Sequence, residues 1–102
     1  ELYIAPMGDR AKLKTVELAK ILREEGFLVE YDLMDRGIKA QMKYANKINA
    51  NFVLVIGDNE LETNKGKIKN MSTGEEKEIA LDDTFKDVFS VMNMDSVLNL
   101  DF

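Results

Sequence analysis

The sequence predicts an α/β fold: a five-stranded mixed sheet in the order 2-1-3-4-5, flanked by three helices. Three observations predict it. Strand-like and helix-period segments alternate as far as Ile56. The run Phe52-Val53-Leu54-Val55-Ile56 is continuously apolar and rich in β-branched residues, as suits a central strand covered on both faces. A turn signal, Ser72-Thr73-Gly74-Glu75, separates two later extended stretches, which reads as a hairpin. The order β-α-β-α-β-β-β-α then implies three parallel strands with right-handed crossovers and an antiparallel extension.

Each element has its own warrant. Leu2 to Met7 is a short buried strand, stopped by Pro6 and Gly8. Asp9 to Glu25 is a helix, with Asp9 as the expected N-cap and Gly26 where a left-handed C-cap belongs. Ala11, Thr15, Leu18, Ala19 and Leu22 make its packing face; Leu13 and Val16 lie off that face, which predicts cover on more than one side. Phe27 to Leu33 alternates as a second strand. Asp58 to Leu61 has the composition of a single helical turn. Lys65 to Met71 and Lys77 to Leu81 are the hairpin strands. Asp82 to Met92 is a last helix, with Phe85, Val88, Phe89 and Met92 at i, i+3, i+4 and i+7 and Asp82 or Asp83 as its cap. Residues 1–92 are therefore taken as one domain and 93–102 as a C-terminal tail.

Composition removes several chemistries. The chain has 102 residues, no Cys and no His. Disulfides and thiolate metal sites are excluded, as are a histidine general base and a Ser/His/Asp set. Gly8, Gly26 and Gly37 are isolated, and no Gly-Lys-Ser/Thr phosphate loop occurs. The paired acids, such as Glu24-Glu25 and Asp82-Asp83, are sequence neighbours and point apart in a helix or strand. No apolar run reaches the roughly 20 residues of a membrane span, and no signal peptide is visible, so the cytoplasm is the expected compartment. The start at Glu1 suggests an excised fragment or a processed product.

What remains is binding. The net charge is -5, yet no Asp or Glu occurs between Arg36 and Gly57. At about 100° per residue, Ile38, Met42, Ala45 and Ile48 share one side of a helix, and Lys39, Lys43 and Lys47 share another. A nucleic-acid site on so acidic a chain has to be local. In a sheet of this kind ligands bind beyond the carboxyl ends of the parallel strands. Asp35, Arg36 and Glu60 all follow such ends, and Lys69 lies on the neighbouring fourth strand. A carboxylate suits the Watson–Crick edge of guanine, where ring N–H and amino group both donate; cations suit phosphates and base acceptors. The plainer readings are a solvated lysine face, Glu60 as a helix-capping acid, and Tyr44 as partial core rather than a stacking platform.

At Arg36 to Lys47 the run Arg-Gly-Ile-Lys-Ala-Gln-Met-Lys-Tyr-Ala-Asn-Lys resembles the C-terminal anticodon-binding domain of bacterial histidyl-tRNA synthetases, a class IIa family. Ile4-Ala5-Pro6-Met7-Gly8, Phe52 to Leu61 and Lys69 to Glu75 resemble its first strand, its third strand with the following turn, and its hairpin. The resemblance covers about residues 2 to 92. It implies recognition of the GUG anticodon of histidine tRNA at the positions of Asp35, Lys43, Glu60 and Lys69, with Arg36 fitting the histidyl pattern; Lys39 joins this candidate set from the lysine row of the helix. At Asp35 a carboxylate stands where related domains have a neutral polar residue. It implies no catalytic residues and no cofactor in this stretch: ATP and magnesium belong to a separate catalytic module, and the full-length family is a homodimer. Asn64-Lys65-Gly66 places Gly where an apolar strand residue is common, so the fourth strand is expected to start late. Two other readings compete. One is a regulatory or scaffold domain, as in the synthetase-like regulatory subunit of ATP phosphoribosyltransferase; the other is a flavodoxin-like small-ligand binder.

Overall fold

The computed structural model describes residues 1–98. Five strands form one sheet in the order β2-β1-β3-β4-β5. They are β1 (Leu2–Pro6), β2 (Val29–Tyr31), β3 (Phe52–Ile56), β4 (Lys65–Asn70) and β5 (Glu76–Ala80). β1 runs parallel to β2 and β3, while β4 is antiparallel to both β3 and β5. The helices are α1 (Asp9–Glu24), α2 (Ile38–Lys47), α3 (Asp58–Thr63) and α4 (Phe85–Val97). The expected strand order holds. The helix count is four among the described residues, because the single turn expected after β3 extends into α3.

The sheet divides the interior into two unequal layers. On one face α1 and α4 cover Leu2, Ile4, Phe52, Leu54 and Ile68, with Phe85 and Phe89 reaching in from α4. On the other face α2 covers Tyr3, Ala5 and Val53 through Ala45. Nothing among the described residues covers that second face over β4 and β5. This asymmetry opens the groove described below.

Local departures from the sequence reading have plain causes. α1 starts at Asp9 with Gly8 as its N-cap, so Asp9 sits in the first turn rather than capping it, and its carboxylate meets Lys12 at 3.4 Å. Gly26 does close the helix: at φ 92° it donates to Arg23 O, and Phe27 N–H returns to Leu22 O, the paired bonds of a Schellman end. Leu13 and Val16 are exposed, so α1 is covered on one side only. β4 begins at Lys65, not late: Gly66 is a buried strand residue, and a Cβ built there would stand 2.8 Å from Leu54 Cδ1. Glycine lets β4 lie close over Leu54. Neither Asp82 nor Asp83 is the N-cap of the last helix: its first i→i−4 bond runs from Val88 N–H to Thr84 O, and Asp82 forms a turn ahead of it, accepting Thr84 N–H at 2.9 Å and the Thr84 hydroxyl at 2.6 Å. α4 then runs through residues 93–97, past the point where the apolar spacing fades, and Asn93 Nδ2 donates to Glu1 Oε2 at 3.2 Å. The end of the expected tail, residues 99–102, lies outside the described residues.

Candidate nucleic-acid interface

The interface is built at the carboxyl ends of β1 and β3. These strands end in register, with Pro6 opposite Ile56, and Met7 N–H donates to Ile56 O at 2.8 Å. Two of the segments that leave from this end build the site. β3 passes through Gly57 into α3. The loop after β2 carries Asp35 and Arg36 into α2.

α2 is held down by its apolar and polar underside. Ala45 and Gln41 are fully buried, and Met42, Tyr44 and Ile48 are partly so. Tyr44 packs against Tyr3 with ring centroids 5.7 Å apart, so its role is packing. Ile38 remains 40% exposed and lines the groove instead of joining the core. Lys39, Lys43 and Lys47 are exposed, and among the described residues none of the three forms an ion pair.

Beside α2 lies an open groove of about 730 Å³. Ile38 and Met42 of α2 form one wall, Val53 and Val55 the floor, and Glu60 and Asn59 of α3 one end. β4 and β5 supply the far side. Strand alternation turns Lys65, Lys67 and Lys69 to this face, while Gly66, Ile68 and Asn70 face the larger core. Across the ladder Lys67 is opposite Glu78 and Lys69 opposite Glu76; Lys65 Nζ meets Glu78 Oε1 at 3.7 Å. With Glu60 included, three lysines face three glutamates. The groove therefore carries balanced charge over an aliphatic floor, and the uncompensated positive charge stands on α2.

The residues singled out from sequence divide as follows. Glu60 and Lys69 line the same groove. Lys39 and Lys43 each directly follow a groove-lining residue, Ile38 and Met42. Arg36 is at the same end of the sheet, its Nε 3.1 Å from Asp32 Oδ2. Asp35 turns to α1, where Lys12 Nζ binds its carboxylate at 2.5 Å. That hydrogen bond, with the Asp35 charge, holds the Lys12 ammonium above its ordinary pKa. Glu60 also has the capping role: its Oε1 accepts Gly57 N–H at 2.7 Å.

Sequence reasoning missed Gln41. It was read as one residue of a distinctive run, yet it is 0% exposed and makes a hydrogen-bonded junction at the head of α2. The available signal was its position, one turn into the helix and between apolar Ile38 and Ala45 on the packing side. Among the described residues no three His, Cys, Asp or Glu side chains cluster to hold a metal ion, and no helix is long and apolar enough to cross a membrane.

Residues 1–89 match the family model described as the anticodon binding domain, and the chain belongs to that family. Within it, the kinship is with the histidine–tRNA ligases. The chain is 58% identical to that of Caldanaerobacter subterraneus subsp. tengcongensis over 86 residues, 84% of this chain and 21% of the relative. It thus spans about a fifth of the length of the curated relatives it matches. Apo histidyl-tRNA synthetase of S. aureus superposes with a TM-score of 0.81 at 45% identity, over 87% of this chain and 26% of that one. Prolyl-tRNA synthetase from Cryptosporidium parvum shares the fold alone, with a TM-score of 0.74 at 13% identity over 91% of this chain and 21% of that one. These similarities favour the synthetase reading over the regulatory-subunit reading.

Proposed function

We propose that this chain recognises the GUG anticodon of histidine tRNA for a histidine–tRNA ligase. The observation that carries the reading is the pairing of two surfaces at one end of the sheet. An α2 face of unpaired lysines stands beside a charge-balanced groove tipped by Glu60. The lysines suit a phosphate backbone, which positions RNA without reading it. The groove suits a base: its aliphatic floor accepts a ring face, and Glu60 offers acceptors to the donors of a guanine edge. Lys69 and Arg36 add cationic donors for base acceptors or phosphate. Asp35, tied to Lys12, acts at most through that tie.

Joining histidine to tRNA, with ATP and magnesium, belongs in this proposal to parts of the longer protein outside these 102 residues. The homodimer and the cytoplasmic location are likewise proposed for the longer protein on the strength of its kinship.

Titration of the isotopically labelled chain with a GUG anticodon stem-loop tests the reading. Amide shifts are expected to cluster on α2, the start of α3 and β4. Shifts confined to the α1–α4 face would refute it.

A further inference from the structure

Gln41 is a polar side chain buried to 0% exposure under the first turn of α2. Its amide nitrogen and its carbonyl oxygen are both hydrogen-bonded, and Nε2 also lies 3.5 Å from Met7 Sδ. Nε2 donates to Pro6 O and to Arg36 O, each at 3.0 Å, and Oε1 accepts the Tyr3 hydroxyl at 3.2 Å. One side chain therefore joins the end of β1, the loop after β2 and α2 itself. Arg36 lies just ahead of the helix, where Gly37 is the N-cap and Gly37 O accepts the first helical bond from Gln41 N–H. The Arg36 carbonyl has no place in that helical ladder, and Gln41 gives it a partner. The Arg36 guanidinium is gripped separately, by Asp32 at 3.1 Å.

A buried amide of this kind is costly unless every donor and acceptor is met. An apolar residue of similar length would fill the same space but leave the Pro6 and Arg36 carbonyls unpaired. We infer that Gln41 is a positioning residue, which fixes the Arg36 backbone so that its guanidinium stands at the head of the α2 lysine row. It touches no RNA itself. The positional part stands alone; the consequence for RNA rests on the anticodon-binding reading.

The test has two arms, both on the 102-residue chain. The first uses no RNA. Gln41→Met should speed solvent exchange of the Arg36 Nε–H and of the 34–37 amides by roughly tenfold, a local opening, while the Leu54 amide keeps its protection. Tyr3→Phe, a milder change that removes only the hydroxyl, should give a smaller shift of the same signals. Unchanged Arg36 signals in both variants would overturn the inference. So would equal loss of protection at Leu54, which would make Gln41 a core residue only. The second arm measures binding to the GUG stem-loop against salt. Arg36→Ala and Gln41→Met should each weaken binding and shallow the salt dependence by about one contact. The double variant should be no weaker than Arg36→Ala alone; additive losses would overturn the coupling. If the unaltered chain binds no RNA, the anticodon reading fails while the first arm still decides the positioning.

Discussion

Glu60 Oε1 accepts the backbone N–H of Gly57 at 2.7 Å, closing the first turn of α3 with one oxygen of the carboxylate. The other oxygen has no hydrogen-bond partner among the described residues. One side chain thus caps a helix and presents an acceptor to the groove, so the two roles have to be separated by choice of substitution. Glu60→Ala removes the acceptor for Gly57 N–H and should cost about 0.5–2 kcal/mol of folding stability. Glu60→Gln keeps an acceptor oxygen and should cost less than half as much. Urea unfolding of the two variants checks this.

Gly66→Ala should destabilise the chain by about 1–3 kcal/mol, because the added methyl meets Leu54 Cδ1 at 2.8 Å in a fully buried layer. The midpoint of urea unfolding should fall with little change in slope. An unchanged midpoint would mean that β4 shifts outward freely.

Thr15 is fully buried on α1, and its hydroxyl has no hydrogen-bond partner among the described residues. Thr15→Val keeps the shape and removes the desolvated group. It should stabilise by about 1 kcal/mol, read as a raised thermal midpoint.

Burial raises the Tyr3 hydroxyl above its ordinary pKa, with the Asp32 charge adding to the effect and Arg36 opposing it. The folded-state value lies above the unfolded one. Its contribution is therefore complete below the ordinary tyrosine range, near 10, and is lost as pH rises through the folded value. Stability should fall on the alkaline side, and Tyr3→Phe should flatten that fall. Denaturation midpoints between neutral and alkaline pH decide it; an identical alkaline fall in both proteins would assign it to other groups.

Much of the fold was legible because local signals agreed with one another. The apolar run of β3, Gly26 after α1 and the Ser72–Glu75 turn each specify backbone geometry through a physical preference that tertiary contacts reinforce. The turn forms as read, with Gly74 at φ 80° and Asn70 Oδ1 receiving Ser72 and Thr73 N–H. The misreadings come where distant residues decide. Gly66 looked like a strand breaker, since the closeness of Leu54 is invisible in sequence. Leu13 and Val16 looked covered because an apolar residue carries no label for exposure. The lysine row of α2 was legible from its spacing, but the alternation that turns the β4 lysines toward Glu76 and Glu78 depends on register. Gln41 was hidden for the same reason: beyond the local Arg36 carbonyl, its partners Tyr3 and Pro6 lie on β1 and meet it only in the folded chain.

The central claim is that Glu60 reads a base while the α2 lysines hold phosphate. Binding of Glu60→Gln and Lys43→Ala to a GUG stem-loop and to one with a substituted anticodon guanine, across a salt series, tests it most directly. Glu60→Gln keeps the helix cap, so a loss there reports on the RNA contact. It should weaken the GUG loop by on the order of 1–3 kcal/mol, by analogy with bidentate base contacts in DNA, and leave the substituted loop nearly unchanged. Lys43→Ala should weaken both loops about equally and shallow the salt dependence by roughly one contact. Equal loss on both loops with Glu60→Gln would contradict base reading, and no loss on either would leave Glu60 as a helix cap alone.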